Sequence, residues 1–327
     1  MIRALASVLC VALAASAQGQ QLTFFTIGSG EVTGGYYSAA RAICSTINHT
    51  DNSKLRCSPD PSSGSLYNLS MLKKGELDFA LVQSDWQRLA YEGTDIFSDY
   101  AAMPSLRSVM GLYPETITII VGAESGINKP ADLIGKRIDM GPLSSGRFAS
   151  ISRLFELLDI KSADFKHLFG FTQARAIDEL CDGYIDATVF IVGHPNSNVA
   201  RALSECGARM ISFDGPVIET SLGAATDYEK ILIPWTTYPD LAVNVNSYAV
   251  FSTIVTRTDV DPGLVETFVA RTLENLEDLS EISAVLTGLT MEGLRTNGLT
   301  APLHPGAERA YAATNGKEDL SVRSQAR

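Results

Sequence analysis

Five short segments hold most of the residues able to do chemistry: Ser29–Tyr37, Ser62–Ser65, Gln83–Asp85, Ser144–Arg147 and His194–Asn196. Each follows an apolar, strand-like run and precedes a helical pattern. Helix starts leave backbone N–H groups unpaired and carry about half a positive charge each. They hold a carboxylate or phosphate without a metal. Helix capping alone explains serine, glycine or asparagine at any single turn. Five such turns in one chain point to a shared ligand cleft, because ligands of open α/β sheets sit beyond the carboxyl ends of the strands.

Enzymatic motifs do not account for these turns. No GxSxG, HExxH, Walker A or CxxC pattern occurs. Gly28-Ser29-Gly30 opens like a dinucleotide fingerprint, but the third glycine is due at Thr33 and arrives at Gly34. His49, His167, His194 and His304 are scattered, and only His194 falls in one of the five turns. Asp85 reads as a helix cap, and Asp182 and Asp186 as a solvated strand edge. Arg147 opposes the dipole of the helix it begins. It reads equally as a bidentate partner for a ligand carboxylate or as a solvated arginine lying over the helix. No catalytic residue, metal site or cofactor is expected.

The chain has 327 residues, 45% hydrophobic and 19% charged, enough for one large domain or two ordinary ones. Arg3, the apolar run Ala4–Ala14 and Ala15-Ser16-Ala17 read as a cleaved signal peptide over residues 1–17. That run is too short to span a bilayer. Leu9 before Cys10 argues against a lipoprotein. An exported, periplasmic protein is expected. Loss of Arg3 takes the net charge from −11 to −12, which makes nucleic acid a poor partner. Four cysteines then remain, and they allow three pairings. The local pairing, Cys44–Cys57 with Cys181–Cys206, is expected, each bridge worth about 3 kcal/mol in the chain-entropy view. Zinc is a poor rival without a CxxC pair.

The elements that must carry these turns alternate between strand and helix. Leu22–Ile27, Leu55–Ser58 and Phe79–Val82 read as strands, with helices over Gly35–Ile47, from the opening Ser62-Ser63-Gly64 to Lys74, and over Trp86–Tyr91. A second series runs from Thr116–Val121 through Arg137–Met140, the helix Phe148–Leu158, the helix Thr172–Cys181 and the strand Ile185–Val192. The late strand Ser247–Arg257 is expected to return to the first series, making two crossings and a hinge. The domain expectation is 18–112 plus 249–327 for lobe 1 and 113–248 for lobe 2.

Gly34–Tyr37 (GGYY), Ser63–Trp86, Gly111–Pro142, Tyr184–Asn196, Thr237–Pro239 and Pro302–Tyr311 together resemble TAXI-family solute-binding proteins, the extracytoplasmic receptors of TRAP transporters. The resemblance covers nearly the whole chain after the leader. It implies an α/β, two-lobed type II periplasmic binding protein fold with a hinge and an interlobe cleft. It also implies capture of a small anionic or zwitterionic solute, glutamate-like or a dicarboxylate, for delivery to TRAP membrane permease subunits. A monomer is expected. Cysteines at similar positions in such sequences support the local disulfides. Matched residue by residue, the implied ligand set is Thr33, Gly34, Gly35, Tyr36, Ser63, Ser65, Gln83 and Ser84 from lobe 1. Ser145, Gly146, Arg147, His194 and Asn196 come from lobe 2. Relatives commonly read TGG where this chain has Ser62-Ser63-Gly64, and a small hydroxyl residue where it has Arg147. That departure implies an extra acidic group on the ligand. A solute-sensing ectodomain and a secreted enzyme on the same fold are the alternatives.

Overall fold

The computed structural model describes residues 22–50, 54–98, 102–223, 225 and 227–314. The expected signal peptide lies outside them. The first half of the fold alternates β1 (Thr23–Gly28), α1 (Gly35–His49), β2 (Leu55–Asp60), α2 (Ser65–Lys74), β3 (Phe79–Gln83) and α3 (Ser84–Glu92). The long strand β4 (Leu106–Val121) leads into β5 (Arg137–Asp139), α4 (Gly146–Leu157), β6 (His167–Phe169), α5 (Gln173–Cys181) and β7 (Ala187–Val192). Then come α6 (Ser197–Glu205), β8 (Arg209–Ile211), α7 (Pro216–Gly223) and β9 (Glu229–Ile233). A second long strand, β10 (Val245–Arg257), precedes α8 (Pro262–Glu274), α9 (Leu276–Ile282) and α10 (Met291–Thr296). This is the expected two-lobed α/β architecture.

All strands join one curled sheet in the order β2-β1-β3-β10-β4-β7-β5-β6, with β8 on β4 and β9 on β10. Both flanks are parallel, and their centre is the antiparallel pair β10–β4. The pair serves both halves. Residues 252–255 of β10 bond β3, whereas 245–249 bond β9. Residues 116–121 of β4 bond β7, and 119–121 also bond β8. Two register shifts interrupt the pair, between Phe251 and Thr253 and between Ile254 and Val255.

Two expectations change here. β4 begins ten residues before Thr116, because Gly111 and Pro114, which read as punctuation, lie inside it. Gly111 is needed there, since a Cβ would collide with the Asn297 carbonyl. Pro114 has no N–H to donate and lies opposite Phe251, beside the first register shift. β2 also runs on through Pro59, as an edge strand can.

Packing follows the sequence periodicity. α1 buries Tyr36, Ala39, Ala40, Ile43, Cys44 and Ile47, one helical stripe, against β1 and α8. β3 is buried on both faces, as a central strand covered by helices must be. Phe25, Phe79 and Phe268 stack at centroid distances of 4.5–5.7 Å in the first core. The second half has its own cores, around Ile119, Ile138 and Val189 and around Ile177, Phe190 and Val199. The two local disulfides are formed: Cys44–Cys57 ties α1 to β2, and Cys181–Cys206 ties the end of α5 to that of α6.

Candidate functional site

Four helix starts face one another across the gap between the halves. α1 begins at Gly34-Gly35 and α2 at Gly64-Ser65 from the first half; α4 begins at Ser145-Gly146 and α5 at Gln173 from the second. They differ in what caps them. The Ser145 hydroxyl accepts from Phe148 N at 3.1 Å. Glu31, reaching over from the first half, accepts from Gln173 N at 2.7 Å. Among the described residues no side chain caps α1 or α2. Their first-turn N–H groups therefore suit an anion.

A cavity of about 60 Å³ lies between these tips. Gly34, Gly35, Tyr36, Ser63, Ser65, Gln83, Ser145, Gly146 and Arg147, all predicted, line it. So do Gly30, Glu31 and Gly64, which lie in the selected turns but outside the implied ligand set, and Glu115, Gln173, Ile191, Val192 and Gly193, which none of the five turns contained. Glu115 comes from the middle of β4 and is 4% exposed. Its Oε2 accepts from the Tyr36 hydroxyl at 2.7 Å. Burial pushes its carboxyl up to about 8, against the opposing pull of the Tyr36 bond. A lone acid in an otherwise apolar strand, Tyr113–Val121, is the signal that would have found it. No comparable signal marks Gln173.

The other predicted residues lie off the cavity. Ser84 Oγ accepts from Phe251 N at 3.0 Å, fastening α3 to β10. Asn196 caps α6, accepting from Asn198 N at 2.9 Å and Val199 N at 3.1 Å. His194 bonds Thr118 Oγ1 at 2.9 Å and the Tyr238 hydroxyl at 2.5 Å, so both ring nitrogens are used within the second half. Thr33 is exposed, and its carbonyl accepts from Asn198 Nδ2 at 3.2 Å across the gap. These four act on the frame around the cavity.

Arg147 lines the cavity but departs from the solvated reading. It is 7% exposed, so it is not a solvated arginine, and its guanidinium points into the second half. Nε donates to the Val189 carbonyl at 2.8 Å, Nη1 to the Phe171 carbonyl at 3.3 Å and Nη2 to Thr188 Oγ1 at 2.8 Å and to Asp139. Its Cζ stands 4.4 Å from the Phe190 ring centre. Asp139 is itself saturated, accepting from Thr188 Oγ1 and Phe171 N, each at 2.7 Å. Four of its five N–H donors are therefore committed inside the protein, while the residue still lines the cavity.

Polar contacts close the gap around the cavity. Ser63 Oγ donates to the Ser144 carbonyl at 3.3 Å. Ser150 of α4 accepts from Trp86 Nε1 at 2.6 Å and meets Asp85 Oδ2 at 3.1 Å. Asp85, expected as a cap, is the second residue of α3: its Oδ1 accepts the first-turn N–H of Trp86 at 2.9 Å, while its Oδ2 meets α4. Burial raises its carboxyl to about 6. Arg88 of α3 and Arg153 of α4 share Asp227 at 2.7 and 3.1 Å. Gly146 is close-packed against the other half: a Cβ there would stand 2.7 Å from Gln83 Oε1 and from Ser65 Oγ. Among the described residues no cluster of His, Cys, Asp and Glu could hold a metal ion, and no helix is long and apolar enough to cross a membrane.

Two outcomes follow from these placements. Arg147→Thr leaves Asp139 buried without its cation and should cost about 3–5 kcal/mol in urea unfolding. A double Arg147→Thr/Asp139→Asn variant should lose less than the two single losses added; a single-variant loss below about 1 kcal/mol means that the pair is not the guanidinium's anchor. His194 is held neutral, its pKa lowered by burial from 6.5 to about 4. The unfolded state takes up the proton first, so this stability is present above pH 6.5 and is lost as pH falls toward 4. The loss is up to about 3 kcal/mol. His194→Gln should flatten that part of the pH–stability curve, and an unchanged slope would assign the acid sensitivity elsewhere.

The model of the NMT1-like family matches residues 27–313. A solved structure from Bordetella bronchiseptica RB50 superposes with a TM-score of 0.53 at 17% identity, covering 89% of this chain and 89% of that chain. The periplasmic aliphatic sulphonate binding protein SsuA from Escherichia coli superposes with a TM-score of 0.49 at 15% identity, covering 80% of this chain and 76% of that chain. With a match that runs from β1 to beyond α10, the chain belongs to the NMT1-like family.

Proposed function

We propose that this chain is an exported, periplasmic solute-binding protein of the TAXI type, which captures a small organic anion or amino acid and hands it to a TRAP-type ion-coupled permease. The observation that carries this reading is the meeting of helix starts from both halves around one cavity, two of them uncapped by any side chain. Residues 18–112 with 249–327 form lobe 1 and 113–248 form lobe 2. β4 and β10 are the hinge, and their change of pairing partners near Thr116 and Ala249 supports that division. A cavity of about 60 Å³ takes only a small group, so entry of a whole solute requires the lobes to part. Solute then shifts the population from open to closed, and the permease reads the closed form. Family membership and two formed disulfides support export. The motifs GGYY, Ser63–Trp86 and Gly111–Pro142 support the TAXI assignment.

A thermal-shift screen of amino acids and dicarboxylates on the oxidised protein tests this reading. A true solute at 100 times its Kd adds about 2.7 kcal/mol to the folded state and raises Tm visibly. A screen in which no small anion or zwitterion moves Tm refutes the function. Gly146→Val checks the closure mechanism: its side chain meets Ser65 and Gln83, so affinity should fall at least about tenfold (about 1.4 kcal/mol) while the ligand-free Tm holds. Unchanged affinity would mean that binding does not require the lobes to meet there.

A further inference from the structure

Glu115 is the buried carboxyl on the cavity wall that has no ion pair among the described residues. Arg147 has Asp139, and Glu31 accepts from Gln173 N. Glu115 has one hydrogen bond, from the Tyr36 hydroxyl, and no ion pair among the described residues. Tyr36 is the second residue of α1, so the uncapped start of that helix and the carboxyl of Glu115 share one end of the cavity. A buried carboxylate facing a ligand space calls for a positive partner, because an unpaired charge in low dielectric is costly.

We propose that Glu115, positioned by Tyr36, is a specificity-determining residue that receives a cationic nitrogen of the solute, while the uncapped starts of α1 and α2 take its acid group. This rests on the solute-binding reading and narrows it: the preferred ligand is a zwitterion with adjacent ammonium and carboxylate groups, and a plain dicarboxylate is disfavoured. Deprotonation accompanies binding. The Glu115 carboxyl stands at about 8 in the ligand-free protein and is therefore mostly protonated at pH 7. An incoming ammonium keeps its own protons, and Glu115 releases its proton to the solvent to become the counter-ion. The charged and titratable groups facing it are Tyr36 on α1, Tyr113 on β4, Asp85 on α3, and Arg147 and Glu31 on the cavity wall. The phenols of Tyr36 and Tyr113 are pushed well up by burial, Asp85 is raised to about 6, burial also raises Glu31 while the Gln173 N–H opposes it, and Glu115 stands at about 8.

Titration calorimetry of the oxidised protein with matched pairs reads this directly: glutamate against glutarate, aspartate against succinate, leucine against 4-methylpentanoate. The amine-bearing member of a pair should bind at least about 30-fold more tightly. Near pH 6.5, repeated in buffers of different ionisation enthalpy, it should release close to one proton. Its affinity should rise about tenfold per pH unit below 8 and level off above. Glu115→Gln should reduce the preference for the amine below about threefold and abolish proton release, with the ligand-free Tm held or raised. Tyr36→Phe removes the bond that steadies the carboxylate, so it should move the pH midpoint upward while keeping the release. Tight binding of a desamino acid without proton release, or release that survives in Glu115→Gln, overturns the assignment and leaves the cleft a binding site. Failure of every member of every pair to bind overturns it together with the solute-binding reading.

Discussion

The antiparallel pair β4–β10 is the constraint on which the rest of the structure depends. Both strands are far longer than their neighbours, and each gives one end to each half of the sheet. Backbone hydrogen bonds along such a pair do not stretch, so the halves can move only by bending where the ladder is interrupted. The ladder is interrupted near Phe251 and Ile254, opposite Pro114 and Met110. A bulge locally loosens and twists a sheet. Glu115 follows Pro114 directly, which places the cavity's carboxyl at the point where the two halves change partners.

Around that pair the division of labour between apolar and polar surface is sharp. Each half has its own apolar cores, centred on Phe79 and Phe268 in one and on Ile138 and Phe190 in the other. Much of what joins them is polar: Ser63 with Ser144, Glu31 with Gln173, Thr33 with Asn198, Ser150 with Trp86, and Asp227 with Arg88 and Arg153. A neutral hydrogen bond contributes about 1 kcal/mol net and a half-exposed ion pair about as much or less. Water replaces each of these partners at small cost. Cores of this size hold each half together, while a few exchangeable bonds hold the halves to one another. Asp85 weakens the joint further at neutral pH, because its buried carboxylate favours the protonated form up to about pH 6.

Most of the fold was legible from periodicity. The apolar runs at Phe79–Val82 and Ile185–Val192 marked real strands, and the helical pattern over Gly35–Ile47 marked α1. Boundaries moved where tertiary contact overrode a local signal. Gly111 and Pro114 look like turn residues and lie inside a strand, because Asn297 and Phe251 pack there. The turns that line the cavity were legible as a class, since strand, small polar residues and helix start recur in sequence. Which members of a turn face inward was not. Ser65 and Gln83 line the cavity, whereas Ser84, one residue on, bonds the opposite strand. A single rotation along a helix start separates those outcomes, and no residue type encodes it.

Arg147 and Glu115 show how charge at a cleft must be read. By sequence, Arg147 is the conspicuous group: a cation at the wrong end of a helix, in a turn that faces a ligand. Its placement is explained from within, because Asp139, Thr188 and two carbonyls take its donors and Phe190 supports its plane. Glu115 is inconspicuous, one acid in the run Tyr113–Val121, yet no internal cation answers it. A buried charge with a full set of partners does structural work and is indifferent to solute. A buried carboxyl with only a phenol for company keeps its proton to about pH 8, and the proposed role of Glu115 supplies the cation that would let it go. The identity of a ligand is therefore read from the charge that the fold leaves uncompensated.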